Sequence, residues 1–255
     1  MTDAPIRTAT ADRVLHLTLD RPEKKNALTR AMYARLAEAL DEAADDPQVR
    51  AVVISGADGS FTAGNDLFDF MTDPPRDESS PVFQFLHAVV RFPKPLIAAV
   101  EGVAIGIGTT LLLHCDLAFA APDARFKMPF TDLGLVPEAG SSLLLPRLAG
   151  NARAAELLLL GETFGSETAR EIGLVNAVAA DPLAAAMERA EALAQKPPAA
   201  VRQAKALLRA PLRERVMETI REEASLFIQR LQSEEAQEAF TAFMEKRAPD
   251  FSRFE

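Results

Sequence analysis

Two short turns rich in small residues lie directly before predicted helices, at Ala63-Gly64-Asn65-Asp66 and at Gly106-Ile107-Gly108. Glycine allows a ligand to approach the backbone closely, and the first N–H groups of a helix have no intrahelical acceptor. If the fold brings the two turns together, one N–H from each could stabilise the oxyanion of an enolate or a tetrahedral intermediate. Such turns are also common in ordinary α/β proteins, so the residues alone leave both interpretations open.

Glu138 is the carboxylate best placed for proton transfer. It stands in the apolar, small-residue run Leu135-Val-Pro-Glu-Ala-Gly140, just before a predicted helix. A carboxyl group in apolar surroundings has a raised pKa and can exchange protons near neutrality. The alternative is a solvated or helix-capping glutamate. Asp132 is the nearest rival, whereas Asp66 and Asp116 lie beside turns and are expected to cap or brace them.

Other reactive side chains give weaker signals. The basic pair Lys24-Lys25 could meet a phosphate group as point charges, although a solvated loop explains it equally well. His114 lies on an apolar helix face and is interpreted as a hydrogen-bonded core histidine. Its neighbour Cys115 is expected to be buried and inert.

Composition excludes several classes of protein. The 255 residues carry a formal net charge of -9, which disfavours a nucleic-acid-binding face, and 48% are hydrophobic, as in globular proteins. One cysteine cannot form an internal disulfide, and three separated histidines predict no metal site. The first 13 residues lack the apolar core of a targeting signal, and the uncharged run 102–115 is shorter than the roughly 20 residues that span a bilayer. We therefore expect a cytoplasmic protein without membrane or nucleic-acid partners.

The elements that must position these groups alternate between strands and helices. Leucines at 15, 17 and 19 alternate with polar residues and predict a half-buried strand, and Thr29 is the expected N-cap of a helix reaching about Ala44. Further strands are predicted at 49–55, 96–100, 117–121 and 126–128, with a helix at 83–92 and a proline-rich surface loop at 71–81. The class is α/β, but Leu111 replaces the third glycine of a dinucleotide-binding fingerprint.

The remainder of the chain is predicted to be mainly helical. The expected helices are 152–160, 166–172, 182–195 with Asp181 as N-cap, 199–209, 211–232, and 234–247 with Ser233 as N-cap. Pro197-Pro198 is the best boundary candidate. It divides the chain into a mixed α/β core, 1–196, and a helical region, 197–255.

Taken together, these motifs resemble the crotonase superfamily, also called the enoyl-CoA hydratase/isomerase family. The matching segments follow the family's order and spacing over nearly the whole chain. They are Leu19-Asp-Arg-Pro-Glu-Lys-Lys-Asn-Ala-Leu28, Ser60-Phe-Thr-Ala-Gly-Asn-Asp-Leu67, 102–108 with Cys115-Asp116, 126–129, 134–140, 145–150, 173–176 and 245–251. Any one motif alone is weak, but the combination is specific.

The resemblance implies a crotonase-like spiral of ββα units, with residues 197–255 serving trimer contacts and substrate cover in a homotrimer or a hexamer built from two trimers. It also implies an acyl-CoA thioester as substrate, with no separate cofactor. The oxyanion hole falls on the backbone N–H groups of Asn65 and Ile107, beside Glu138 as the acid–base residue. The residues that match substrate- and CoA-binding segments are Lys24, Lys25, Ala27, Leu28, Thr62, Ala63, Gly64, Asp66, Leu67, Gly106 and Phe130.

The chain departs from the family's hydratases at both of their catalytic glutamates. Thr110 and Phe130 stand at those positions, so hydration is disfavoured. Glu138 instead matches the base of the single-carboxylate Δ3,Δ2-enoyl-CoA isomerases, and we expect an enzyme that moves a 3-enoyl-CoA double bond to the 2-position. Three alternatives remain: an epoxyphenylacetyl-CoA-type ring-opening isomerase, a hydratase-like enzyme, and a non-catalytic CoA-ester-binding member.

Overall fold

The structure, a computed structural model, describes residues 5–254. Within that range, six strands form one sheet in the order β1-β2-β3-β4-β6-β9, and three form a second in the order β5-β7-β8. The strands are β1 (Ile6–Ala11), β2 (Val14–Leu19), β3 (Ala51–Gly56), β4 (Leu96–Val100), β5 (Val103–Ile105), β6 (Leu117–Ala120), β7 (Arg125–Lys127), β8 (Phe164–Gly165) and β9 (Ala177–Val178). In the larger sheet only β1 and β2 pair antiparallel.

Helices follow most of the strands and dominate the C-terminal part of the chain. They are α1 (Arg30–Asp45), α2 (Leu67–Thr72), α3 (Pro81–Arg91), α4 (Ile107–Thr110), α5 (Ser141–Ala149), α6 (Asn151–Ala155), α7 (Ser166–Glu171), α8 (Pro182–Ala194), α9 (Pro198–Leu231) and α10 (Glu234–Glu245). No helix within residues 5–254 combines the length and hydropathy needed to cross a bilayer.

The central strands of the larger sheet are buried on both faces. In β3, Val52 and Ile54 join the main apolar core together with α1 and α3, whereas Val53 joins a second cluster with Ala186 and Ala190 of α8. Strands covered on both sides consist of nearly continuous apolar residues, which explains the clear signal at 49–55. The first candidate turn follows β3 of this sheet, whereas the second follows β5 of the smaller sheet.

Three predicted helix starts are confirmed by their caps. Thr29 Oγ1 accepts from the Met32 N–H (3.3 Å), and Asp181 Oδ1 accepts from the Ala184 N–H (2.8 Å). Ser233 Oγ accepts from Ala236 N–H (3.2 Å). Each side chain pairs an N–H that the helix itself leaves without an acceptor, which is why these residue types mark helix starts.

Strand β1 was not predicted. It pairs antiparallel with β2, but only Ile6 of its six residues is buried, so its sequence has no apolar alternation. An edge strand exposed on its outer side is stabilised by backbone pairing, and periodicity in the sequence does not reveal it.

The prediction of two helices, 199–209 and 211–232, is wrong, because α9 runs without a break through Pro211. Proline removes one N–H and leaves the Leu207 carbonyl without its helical partner. Leu207 is 75% exposed, so water can reach that part of the helix. Contacts on both sides keep the axis continuous: Lys205 pairs with Asp116 (2.7 Å) before the proline, and Val216 is buried after it.

Candidate active site

The two glycine turns lie on neighbouring segments of the chain. Thr62 and Ala104 form a parallel bridge, in which the Thr62 N–H donates to the Val103 carbonyl (2.9 Å) and the Ile105 N–H donates to the Thr62 carbonyl (3.0 Å). Asn65 and Ile107 each follow that bridge by three residues. Within residues 5–254, neither of their N–H groups donates to a protein acceptor. Asn65 and Ile107 therefore occupy equivalent positions on two paired segments, and their N–H groups are available to a ligand.

Glycine is required at two positions of the second turn. Gly106 has φ 55° and ψ -117°, a combination that side chains with a Cβ avoid. At Gly108 a Cβ would lie 2.6 Å from Thr62 Cγ2. The first glycine turns the Ile107 N–H out of the strand, and the second lets α4 pack against the neighbouring turn.

The segments predicted to bind CoA are also brought together. The Ala63 N–H donates to the Lys25 carbonyl (2.9 Å), and the Leu28 N–H donates to the Gly64 carbonyl (2.8 Å). Asp66 caps α2 by accepting from the Asp69 N–H (3.0 Å) and pairs with Arg21 (2.5 Å). Asp66 thus braces the turn, as expected.

Asn26 holds these two segments in place and was missed at the sequence level. It is fully buried; its Oδ1 accepts from the Arg21 N–H (2.8 Å), and its Nδ2 donates to the carbonyls of Ala57 (2.9 Å) and Ser60 (2.5 Å). The only signal was its place inside a family motif, since the acceptors lie more than 30 residues away.

Glu138 lies in an apolar cleft of about 280 Å³, including its open mouth. The cleft is lined by Phe70, Pro75, Val82, Phe83, Leu86, Glu138, Ala139, Ile220, Ala224 and Phe227. Only 8% of the Glu138 surface is exposed, and its buried Oε1 has no hydrogen-bond partner within residues 5–254. The expectation of an apolar setting for this carboxyl group therefore holds.

The environment of Glu138 favours its neutral form. Burial, and secondarily the charge of Glu223, raise the pKa of Glu138 to about 8. An unpaired buried carboxylate is costly, because it loses water without gaining donors. A carboxyl group with this pKa can both give and take a proton near neutral pH.

Tyr33 connects the first turn with the surroundings of Glu138. Its buried hydroxyl donates a hydrogen bond to Asn65 Oδ1, and its ring packs against Phe85 at a centroid distance of 5.7 Å. Burial, with a smaller effect of the Glu138 charge, raises the pKa of Tyr33 well above its ordinary value. The phenol is therefore a neutral donor, and it was missed because its position in α1 gives no motif.

Glu223 on α9 is a second buried carboxylate near Glu138 and was also missed. Its Oε2 accepts from the Gly140 N–H (2.6 Å), and its Oε1 accepts from the Ser142 N–H (3.0 Å) and hydroxyl (2.5 Å). Burial raises the pKa of Glu223, while these hydrogen bonds oppose the rise. Glu223 is not among the cleft-lining residues, so it contacts the Glu138 turn from behind.

The remaining candidate side chains are structural. His114 is buried and hydrogen-bonds through Nε2 to the Ala139 carbonyl (2.6 Å), and burial lowers its pKa to about 4. Burial raises the pKa of the Cys115 thiol to about 12, consistent with an inert residue. Asp116 accepts from the Leu96 N–H (2.9 Å) and pairs with Lys205.

Several sequence candidates lie away from the cleft. Asp132, the rival of Glu138, is about half exposed and pairs with Lys127 (2.8 Å). Phe130 is buried in the core and does not line the cleft. Lys24 and Lys25 are exposed on the loop beside the first turn. Within residues 5–254, no group of three or more His, Cys, Asp or Glu side chains could hold a metal ion.

Comparison with known proteins identifies the class. Residues 9–253 match the family described as enoyl-CoA hydratase/isomerase, and the chain belongs to this family, whose enzymes process acyl-CoA thioesters. The solved structure of Pseudomonas aeruginosa OdaA superposes with a TM-score of 0.93 at 52% identity, covering 95% of this chain and 99% of that one. The predicted crotonase fold, with its C-terminal helical region, is confirmed.

Relatives in this family differ in their reactions. The Escherichia coli 1,2-epoxyphenylacetyl-CoA isomerase is 38% identical, covering 94% of this chain and 95% of that protein. The Escherichia coli 2,3-dehydroadipyl-CoA hydratase is 36% identical, covering 94% and 95%. Rat enoyl-CoA delta isomerase 2 is 34% identical, covering 92% of this chain and 62% of that protein. Similarity alone therefore leaves the reaction open, and the site residues must decide it.

Proposed function

We propose that this protein is an acyl-CoA isomerase that moves the double bond of a 3-enoyl-CoA to the 2-position. Glu138 carries the proton, and the N–H groups of Asn65 and Ile107 hold the thioester oxygen. The observation that carries the proposal is the Glu138 carboxyl group in an apolar cleft, with its Oε1 unpaired within residues 5–254. A protein that only binds CoA esters gains nothing from such a costly group.

The reaction needs one acid–base residue. Ionised Glu138 removes a proton from C2, and the electron pair of that bond moves into the thioester carbonyl to give a dienolate. The two N–H groups stabilise the negative oxygen. When the carbonyl re-forms, a C2–C3 double bond is created and the former C3–C4 π electrons take the proton from Glu138 at C4. Glu138 is then ionised again, so no atom is gained or lost.

Hydration is disfavoured by the residues at the family's two glutamate positions. Thr110 is fully buried, and its hydroxyl lies 3.4 Å from the Gly106 carbonyl. The side chain of Phe130 is buried and has no polar or titratable group. Neither can activate water or protonate a carbon atom, and Glu138 alone must supply all the acid–base chemistry.

A ring-opening isomerase acting on an epoxide of phenylacetyl-CoA type is the second candidate. It is favoured by the three phenylalanines in the cleft wall, at 70, 83 and 227, which would suit a flat ring. The relative with 38% identity carries the name of such an enzyme. The same carboxyl group would serve either reaction.

A panel of 2-enoyl-, 3-enoyl- and ring-epoxide CoA esters, followed by product identification, tests the proposal. We expect conversion of the 3-enoyl ester to the 2-enoyl ester. Preferential conversion of the ring epoxide would replace the first candidate with the second. Incorporation of heavy oxygen from labelled water into the product of a 2-enoyl ester would identify a hydratase.

We also propose that residues 197–255 mediate assembly into a trimer or a dimer of trimers. We further propose that the enzyme needs no cofactor, since the CoA thioester is its substrate. Leu207, Leu208, Phe243 and Met244 of this region are each more than half exposed, as expected for side chains that a neighbouring copy could cover. Light scattering of the full chain should give a mass that is a multiple of three chains. A monomer at micromolar concentration would contradict this part of the proposal.

A further inference from the structure

The turn that carries Glu138 is strained and has to be held from outside. Ala139 and Gly140 both have positive φ, 60° and 71°, and the Ser141 N–H closes the turn on the Glu138 carbonyl (3.0 Å). For alanine this conformation is unfavourable and persists only when the surroundings impose it. Glu138 is the first residue of this turn, so the direction of its side chain depends on the conformation of the turn.

Two groups hold the turn, and they lie on different elements. His114, which follows α4, binds the Ala139 carbonyl (2.6 Å). Glu223, from the middle of α9, accepts hydrogen bonds from the N–H groups of Gly140 and Ser142. These N–H groups lie at the start of α5, where a negative charge is favoured by the helix dipole.

The hydrogen-bond partners of the two buried carboxyl groups differ sharply. Both oxygens of Glu223 accept from donors, three in all, whereas the buried Oε1 of Glu138 has none within residues 5–254. Donors stabilise a carboxylate, and two neighbouring carboxylates in a poorly solvated region resist simultaneous ionisation. The negative charge therefore belongs on Glu223.

We propose that Glu223 is a positioning residue for Glu138: it fixes the turn at 138–142 from α9, and its own charge keeps the proton of the carboxyl pair on Glu138. The inference rests on the proposed role of Glu138 in proton transfer. Glu223 does not line the cleft that contains Glu138. It acts by geometry and by charge on the group that does.

Within the described part of the chain, three further titratable groups are connected with this pair. The charge of Glu138 reaches Tyr33 on α1, Glu222 lies beside Glu223 on α9, and His114 contacts the turn in its neutral form. Glu223 is the neighbouring charge that raises the Glu138 pKa. Replacing Glu223 with glutamine should therefore lower that pKa, because the neighbouring negative charge is gone.

Infrared difference spectroscopy of protonated carboxyl groups tests the inference without a substrate. In the wild-type protein a protonated carboxyl band should disappear as the pH rises through about 8. It should be absent in Glu138→Gln. In Glu223→Gln the band should remain but titrate at a lower pH, because the neighbouring negative charge is gone. Glu218→Gln is the matched control, because Glu218 is an exposed residue of the same helix that pairs with Arg215 (3.3 Å).

Two results would overturn the inference. One is a band that survives in Glu138→Gln and is lost in Glu223→Gln, which would put the proton on Glu223. The other is a Glu223→Gln titration at the wild-type pH. If Glu223→Gln does not fold, the comparison of the wild-type protein with Glu138→Gln still locates the proton. Because no turnover is measured, failure of the isomerase proposal would not affect this result.

With a substrate in hand, a kinetic comparison addresses the positioning role. Glu223→Gln should lower the plateau value of kcat that is reached at high pH, with little change in KM, because Glu223 does not line the cleft. The acid limb of its pH profile should move to lower pH. Glu223→Asp keeps the negative charge on a shorter side chain. Its pH profile should therefore be closer to that of the wild-type protein than its kcat is. A change in KM alone would contradict a positioning role.

Discussion

The hydroxyl of Tyr33 donates a hydrogen bond to the side chain of Asn65, whose backbone N–H is one of the two proposed oxyanion donors. The same phenol lies within the electrostatic reach of Glu138. One buried side chain of α1 therefore connects the proposed oxyanion hole with the surroundings of the proposed proton carrier.

Replacing Tyr33 with phenylalanine should lower kcat by up to about tenfold, the rate equivalent of one net hydrogen bond. The ring contact with Phe85 is kept, so the fold should be preserved and only the orientation of Asn65 should loosen. Steady-state kinetics on the 3-enoyl ester, together with a thermal melt, would check this. An unchanged kcat would show that the backbone positions the Asn65 N–H unaided.

Phe70 should limit the length of the acyl group. It lines the Glu138 cleft and also a larger cavity of about 1180 Å³, open mouth included, between residues 70–76 and 228–241. Its ring packs edge-on against Phe227 at 6.0 Å. Phe70→Ala should join the two spaces and raise kcat/KM for long chains relative to short ones by roughly tenfold.

The control for this change is Phe68→Ala on the same helix, because Phe68 is 73% exposed and does not line the cleft. A chain-length series of 3-enoyl esters measured for both variants would decide the point. Equal chain-length profiles for Phe70→Ala and the wild-type protein would show that the acyl group takes another route.

Glu138 should destabilise the folded protein at alkaline pH. Its pKa is raised from 4.5 to about 8, so the folded state retains a proton that the unfolded state has lost between these values. The associated stability is present below pH 4.5 and is lost as the pH rises through 8. Glu138→Gln should therefore melt at a higher temperature than the wild-type protein at pH 8 and above, with a smaller difference near pH 4.5. A melting difference that does not change with pH would contradict this burial effect.

His114 should give the opposite trend in acid. Its pKa is lowered from 6.5 to about 4, so the unfolded chain binds a proton that the folded protein excludes. The contribution of neutral His114 to the free energy of unfolding is complete above pH 6.5 and is lost as the pH falls towards 4. This loss is on the order of 3 kcal/mol. Denaturant unfolding at several pH values should show this loss in the wild-type protein and a much smaller one in His114→Gln. Equal pH dependence in both proteins would exclude His114 as the cause.

The sequence was sufficient for features whose signal is local. The caps at Thr29, Asp181 and Ser233 follow from residue type and position, and the buried strands follow from continuous apolar residues. Family motifs placed Asn65 and Ile107 on two turns that the fold does bring to neighbouring segments. The apolar residues around Glu138 in the sequence also indicated its buried setting.

The features that were missed depend on contacts between distant parts of the chain. Tyr33 and its hydrogen-bond partner Asn65 are 32 residues apart in the sequence, and Glu223 is more than 80 residues from the Glu138 turn that it contacts. Helix α9 continues through Pro211 because contacts on either side of it outweigh one lost hydrogen bond. Neither residue type nor periodicity carries that information.

The pH dependence of kcat/KM for 3-enoyl-CoA isomerisation, compared between the wild-type protein and Glu138→Gln, tests the central claim most directly. Asp132→Asn serves as the matched carboxyl-to-amide control, because Asp132 is paired with Lys127 away from the cleft. The wild-type rate should rise with pH and level off above about 8, as Glu138 ionises to its basic form. Glu138→Gln should lose about 100-fold or more of the rate while still binding the CoA ester, and Asp132→Asn should match the wild type. Turnover by Glu138→Gln at the wild-type rate, with the same pH profile, would contradict the assignment of Glu138 as the proton carrier.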